Sequence, residues 1–66
     1  MQIFINGESR NVAKGFTATQ LVEELGLADR RVAMEVNLDI VTRSRYSQHT
    51  FKEGDKIEVV HAIGGG

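Results

Sequence analysis

The chain opens with β-branched and aromatic residues over positions 1–5, and their alternation predicts a β-strand. Asn6-Gly7 follows directly. This pair favours a two-residue hairpin, because a type I′ turn requires positive φ at both central residues. Residues 8–12 are therefore predicted to return as the antiparallel partner of the first strand.

The next pattern has the period of a helix. Thr17 and Gln20 have the spacing of a capping box, in which the hydroxyl accepts from one backbone amide and the glutamine side chain reaches back to another. Gly26 stands where the end of a helix favours positive φ. The sequence thus predicts one helix over residues 17–25, whose apolar stripe consists of Leu21, Val22 and Leu25.

The remaining apolar segments are predicted to be strands, at residues 32–37, 40–41 and 56–63. Leu38-Asp39 is expected to form the tight connection between the first two of them. Residues 43–50 are polar and are expected to form a loop that Tyr46 anchors to the core. The order of elements predicts an α+β fold, with a mixed sheet of four to five strands and one helix packed on one face. The last strand is expected to lie parallel to the first, since the helix supplies the crossover.

Composition and charge narrow the function classes. The 66 residues carry a formal net charge of −1 with both signs mixed along the chain, so no basic stripe indicates nucleic acid binding. No apolar stretch approaches the roughly 20 residues of a membrane span, and no secretory signal is evident. Cysteine is absent, which excludes a disulfide or a sulfur ligand from this chain. We expect a cytoplasmic monomer that binds no metal, nucleic acid or membrane.

The sequence ends with Gly64-Gly65-Gly66 directly after the apolar run of the last strand. We expect a single domain over residues 1–63 and a flexible tail over residues 64–66. Glycine has no Cβ, so such a tail can thread a narrow channel and bring its carboxylate into another protein's active site. A terminus that simply frays is the plainer alternative.

The whole chain resembles a known family. The hairpin–helix–strand order, the Gly54-Asp55 turn before an apolar strand and the glycine terminus are similar to the ubiquitin-like β-grasp fold. The length, the segment 53–66 and the segment 36–41 resemble the ThiS family of bacterial sulfur carriers for thiamin biosynthesis. Thr42 departs from the proline that this family often has before an arginine, and it lies in a loop away from the tail.

The resemblance implies a carrier protein and not an enzyme. An adenylating enzyme of the ubiquitin-activating type would use ATP and Mg²⁺ to activate the carboxylate of Gly66. Sulfur from a donor such as a cysteine desulfurase would convert it to a thiocarboxylate, and thiazole synthase would receive that sulfur. Gly64 and Gly65 would enter the active sites of these partners. The chain itself would bind no cofactor and supply no catalytic residue.

The alternation of inward and outward side chains along the strands predicts where a partner docks. If Ile3 and Ile5 face the helix, Phe4 faces outward, and the same alternation turns Val60 outward in the last strand. Apolar side chains gathered on the open face of a sheet indicate a partner site, although single exposed apolar residues are common. The predicted docking patch consists of Phe4, Val60, Ala62 and Ile63.

Other functions remain open at this point. The same chemistry serves sulfur transfer to molybdopterin or to tRNA, and a glycine terminus is also typical of ubiquitin-like protein modifiers. A non-covalent interaction domain is a further class, for which the tail would be dispensable. His49 and His61 have no acidic neighbours with metal-site spacing and are interpreted as structural.

Overall fold

A five-stranded sheet with one helix on one face organises the computed structural model, which describes residues 1–61. The spatial strand order is β2-β1-β5-β3-β4. β1 runs antiparallel to β2 and parallel to β5, and β3 runs antiparallel to both β5 and β4. The elements are β1 Gln2–Ile5, β2 Glu8–Asn11, α1 Ala18–Glu24, β3 Val32–Val36, β4 Asp39–Val41, a short 3₁₀ helix Arg43–Arg45 and β5 Lys56–His61. The predicted α+β fold, with its parallel pair of first and last strands, is confirmed.

The first hairpin forms as its turn sequence predicts. Asn6 has a φ of 50° and Gly7 a φ of 86°, which are the positive values that a type I′ turn requires. The second hairpin differs from the prediction by one residue. Asn37 and Leu38 carry the positive φ values there, 52° and 73°, and Asp39 already belongs to β4. The predicted Leu38-Asp39 connection is wrong, because Asn tolerates the left-handed region at the first central position.

The helix begins with the predicted capping box. The Gln20 backbone amide donates to Thr17 Oγ1 over 3.2 Å, and the Thr17 amide donates to Gln20 Oε1 over 2.9 Å. Thr17 is the N-cap and Leu25 the C-cap, so the predicted range of 17–25 is confirmed with its two caps included. Gly26 follows with a φ of 74°, as a chain that leaves a helix at this point requires.

The core lies between the helix and one face of the sheet. Alternate strand residues point into it, while α1 contributes Ala18, Leu21 and Val22. Tyr46 is buried and anchors the loop after β4, as predicted. The buried apolar side chains are Ile3, Ile5, Phe16, Ala18, Leu21, Val22, Met34, Val36, Tyr46, Phe51, Ile57 and Val59. The opposite face of the sheet carries no helix in the part of the chain that the structure describes, and we call it the open face.

Candidate functional site: the open face and the end of β5

Some of the predicted site residues lie in the described part of the chain and the others lie beyond the described end of β5. Phe4 and Val60 lie on described strands, whereas Ala62, Ile63 and residues 64–66 lie outside the described part of the chain. The last predicted strand, 56–63, is therefore described only through His61. The candidate site that the structure presents consists of the open face and the strand that leads toward the glycines.

The predicted parity of β5 is confirmed. Ile57 and Val59 are buried in the core, while Val60 is 63% exposed on the open face and Glu58 is exposed beside it. Phe4 is half-buried between the two buried isoleucines of β1. Both Phe4 and Val60 therefore belong to the open face, on neighbouring strands.

Phe4 and Val60 do not form one compact patch. Phe4 pairs with Lys56 at the start of β5, whereas Val60 pairs with Ala33 of β3 near the end of β5. Four residues of strand separate the two positions, which corresponds to about 13 Å. Sequence parity assigns the face correctly but not the position along the strand, which depends on the register between β1 and β5.

A groove of about 510 Å³ crosses the open face beside Phe4. Glu35 and Glu58 stand directly opposite each other on β3 and β5. Like charges at such a pair are destabilising, so this pair adds nothing to the fold. The groove is lined by Phe4, Gly7, Glu35, Asn37, Leu38, Lys56, Ile57 and Glu58.

Two apolar residues that the sequence reasoning missed increase the apolar area of this face. Leu38 is 86% exposed at the tip of the second hairpin, and Ile40, which pairs with Glu35, is 65% exposed. If the inward and outward alternation of β3 had been continued through a two-residue turn at Asn37 and Leu38, both Leu38 and Ile40 would have been predicted to be exposed. Placing the turn one residue too late concealed them.

Beyond the end of β1, the side chain of Asn6 makes the hydrogen bonds to β5 that a neighbouring strand would otherwise make. After β1 ends, the Asn6 amide donates through Nδ2 to the Val59 carbonyl over 3.2 Å, and Asn6 Oδ1 accepts from the Val59 amide over 3.0 Å. The Asn6 backbone amide also donates to the Ile57 carbonyl over 2.8 Å. The residue that makes the first turn thus holds the strand that leads to the glycine segment.

The start of β5 is fixed by a second asparagine and a buried carboxylate. Asn37 Nδ2 donates to Asp55 Oδ1 over 3.0 Å, and the Lys52 amide donates to Asp55 Oδ2 over 2.8 Å. Asn37 Oδ1 accepts from the Lys56 amide, and its own backbone amide donates to the Lys56 carbonyl. The turn of the second hairpin, which forms the rim of the groove, is therefore bonded to the start of β5 through both the side chain and the backbone of Asn37.

His49 and Arg43 have structural surroundings, whereas His61 is exposed at the end of β5, where it pairs with Val32. His49 packs edge-on against Phe51, with ring centroids 5.2 Å apart. Arg43 donates to the carbonyls of Ala28 and Arg30, each over 3.0 Å, and so ties the loop after the helix to the 3₁₀ segment. Within residues 1–61, no three His, Cys, Asp or Glu side chains are grouped to hold a metal ion. No described helix is long and apolar enough to span a membrane.

The comparisons with known proteins agree on one family. Residues 3–66 match the model of the ThiS family. Over all 66 residues the chain is 35% identical to the sulfur carrier protein ThiS of Escherichia coli, and the match covers 100% of both. It is 48% identical to part of a thiazole synthase of Paramagnetospirillum magneticum, and it spans only 20% of that protein's length.

The fold is also that of a solved relative. The crystal structure of a thiamine biosynthesis protein (ThiS) from Geobacter metallireducens matches with a TM-score of 0.78 and 29% identity, over 100% of both chains. This likeness confirms the predicted β-grasp fold.

Proposed function

The chain belongs to the ThiS family, and from that premise we propose that it is a sulfur carrier protein of thiamine biosynthesis. The observation that carries the proposal is the match to the Escherichia coli sulfur carrier protein ThiS, which is 35% identical over 66 residues and covers 100% of both sequences. The likeness in fold to the Geobacter protein supports the same conclusion.

The proposed chemistry takes place at the carboxylate of Gly66. A carboxylate oxygen attacks the α-phosphorus of ATP in an adenylating enzyme that uses Mg²⁺, and pyrophosphate leaves. A persulfide sulfur, formed with a donor such as a cysteine desulfurase, then attacks the acyl carbon and AMP leaves. A second thiol then attacks the donor sulfur of the resulting acyl disulfide. This step forms a disulfide between the thiol and the donor and releases the thiocarboxylate. Because ATP drives the first step, we propose the cytoplasm as its location.

All catalytic groups in this scheme belong to the partners, so the chain is a co-substrate. A carboxylate is a poor acyl donor, and the mixed anhydride with AMP supplies the leaving group that it lacks. Gly64 and Gly65 allow the tail to enter a narrow active site, because neither has a Cβ. Ordering each tail residue costs about 1–2 kcal/mol, so contacts on the folded body must offset several kcal/mol.

The open face is the proposed source of those contacts. Val60 is exposed one residue before the last described position, and with Ala62 and Ile63 it forms the part of the docking patch nearest the tail. Phe4 extends the patch toward the start of β5. Asn6 supports this function indirectly, because its bonds to Val59 hold the described part of β5, the strand that precedes the glycines in the sequence.

We propose thiazole synthase as the acceptor of the sulfur. The supporting observation is that a protein named thiazole synthase contains a region 48% identical to this whole chain. A carrier-like domain and a synthase therefore occur in one polypeptide in that organism. This favours thiamine over the molybdopterin and tRNA pathways.

Intact mass spectrometry tests the proposal directly. The chain is incubated with a purified activating enzyme, Mg·ATP and a sulfur donor, and we expect a mass shift that matches replacement of one oxygen by sulfur, localised to Gly66 by fragmentation. Gly66→Trp should fold normally and stay unmodified. Ser47→Trp, at an exposed position in the loop after the 3₁₀ helix, is the matched control and should be modified as the native chain is. Modification of the Gly66→Trp variant would contradict the proposal, as would an unmodified native chain when the enzyme is active on another carrier.

A further inference from the structure

Leu38 combines two unfavourable properties at one position. Its side chain is 86% exposed, and its backbone has a φ of 73°, in the left-handed region. A side chain with a Cβ is strained there, and the second central position of a type I′ turn is normally occupied by glycine. A strained and exposed leucine therefore contributes little to the fold, and backbone strain of this kind is concentrated at functional positions.

The backbone around Leu38 is held rigidly. Asn37 is bonded through its side chain to Asp55 and to the Lys56 amide, over 3.0 Å in each case. The Asn37 amide donates to the Lys56 carbonyl over 2.8 Å. Because the turn is fixed before any partner binds, little backbone entropy remains to be lost when the leucine is buried in an interface.

The surface next to Leu38 defines the chemistry of what it binds. Leu38 and Phe4 line the same groove, where Glu35 and Glu58 face each other. Lys56 also lines it, so two carboxylates and one ammonium leave the groove with an excess of negative charge. The one ion pair among residues 1–61 is Arg10–Glu24, so neither of these two carboxylates has a described cationic partner within 4.0 Å. An apolar pocket for the leucine beside an Arg or Lys for the two carboxylates is the complementary surface.

These charges argue against a second copy of the chain as the occupant. A two-fold dimer formed through this groove places the same surface on both sides of the interface, with only one Lys56 for every two carboxylates. Like charges brought together across an interface disfavour the complex. The occupant is therefore a different protein with a basic and apolar surface.

We propose that Leu38 is an anchor residue for thiazole synthase, which receives it in an apolar pocket while an Arg or Lys of the synthase contacts Glu35 and Glu58. This inference rests on the proposed function. The choice of partner follows from the relative in which a region 48% identical to this chain belongs to a thiazole synthase. In that relative the carrier-like region and the synthase share one polypeptide, which keeps the two within reach of each other.

The anchor lies far from His61, the last described residue. Leu38 lines the groove with Lys56, which begins β5, and His61 is five residues further along that strand, a distance of about 16 Å. The synthase thus contacts the carrier at two separated points, the tail and the tip of the second hairpin. Loss of the leucine weakens binding without altering the tail.

The test uses variants that separate stability from binding. Leu38→Gly removes both the strain and the side chain, and Leu38→Asn lowers the strain and replaces the apolar side chain with a polar one. Both should have an unfolding midpoint equal to or above that of the native chain. Their Kd for purified thiazole synthase, measured by calorimetry on the full chain, should be weaker by about 10- to 30-fold, the range of an interface anchor. Leu38→Met keeps a long apolar side chain and should bind within about 3-fold of the native chain.

Two outcomes overturn the inference. One is that Leu38→Gly or Leu38→Asn, when folded, binds the synthase within about 3-fold of the native chain. The other is that Leu38→Met binds as weakly as Leu38→Gly. Failure of the proposed function is distinguishable, because it would appear as an absence of thiocarboxylate on the native chain in the mass measurement, whatever the variants do.

Discussion

Replacing Asn6 tests whether one side chain holds the strand that leads to the glycines. Its amide makes two hydrogen bonds to the backbone of Val59, of 3.0 and 3.2 Å, where β1 no longer pairs with β5. Each such bond contributes a net of about 0.5–1.5 kcal/mol. Asn6→Gly keeps a residue that accepts positive φ and, in the folded state, removes these bonds. We expect it to lower the free energy of unfolding by about 2 kcal/mol, or about 8–16 °C in the unfolding midpoint.

Asn6→Ala separates the bonds from the backbone conformation. Alanine loses the same two bonds and is also strained at the φ of 50° that Asn6 adopts. It should therefore be less stable than Asn6→Gly by roughly another 1 kcal/mol. Asn11→Gly, at an exposed asparagine of β2, is the control for the entropy that a new glycine adds to the unfolded chain.

Urea unfolding followed by circular dichroism gives the stabilities, and hydrogen exchange gives the local effect. The Val59 amide donates to Asn6 Oδ1, so its protection should fall in both Asn6 variants more than that of amides in the hairpin β3–β4. If Asn6→Gly is as stable as the native chain within about 0.5 kcal/mol and Val59 keeps its protection, the Asn6 side chain does not hold β5.

Three further predictions follow from the core and the helix. Thr17→Ala removes the capping acceptor for the Gln20 amide and should cost about 1 kcal/mol, with reduced helical circular dichroism; an unchanged midpoint would contradict it. Met34→Ala leaves a cavity at a position with 0% exposure and should cost about 2–5 kcal/mol in urea unfolding, so a loss below 1 kcal/mol would show that the core collapses to fill it. Burial raises the pKa of the Tyr46 hydroxyl above its ordinary value of 10.0, although the nearby Arg43 acts in the opposite direction. The folded state therefore holds this proton at a pH where the unfolded state releases it, so stability should fall as the pH rises above about 10 and Tyr46→Phe should remove that part of the fall.

The sequence predicted most of the elements because local chemistry determines them. The capping box at Thr17 and Gln20 fixed the start of the helix, and Asn6-Gly7 fixed the first turn. The second turn was misplaced by one residue because Leu38 occupies a left-handed position that propensity assigns to glycine or asparagine. Propensity is a local rule, and at this turn the side-chain bonds of Asn37 to Asp55 and Lys56 decide the conformation.

The sequence predicted the face of the sheet that carries the docking surface but not the arrangement of residues on that face. Alternation gave the face on which Phe4 and Val60 lie, since the period of a strand is local. It did not give their separation along β5, which depends on the register in which β1 meets a strand some fifty residues later in the chain. It also gave no sign that Glu35 and Glu58 stand opposite each other, because that pairing joins β3 to β5.

By itself, then, the sequence determined the kind of fold, the bounds of its helix, the inward and outward faces of its strands and the family to which the chain belongs. These follow from periodicity, capping and turn chemistry, which act over a few residues, and from residue patterns shared with relatives. Only the tertiary structure decided that Asn6 holds β5 at Val59, that Leu38 is an exposed and strained tip, and that two carboxylates share a groove beside it. Each of these depends on which distant segments meet and in what register, and hydrogen bonds and packing between strands far apart in sequence determine that.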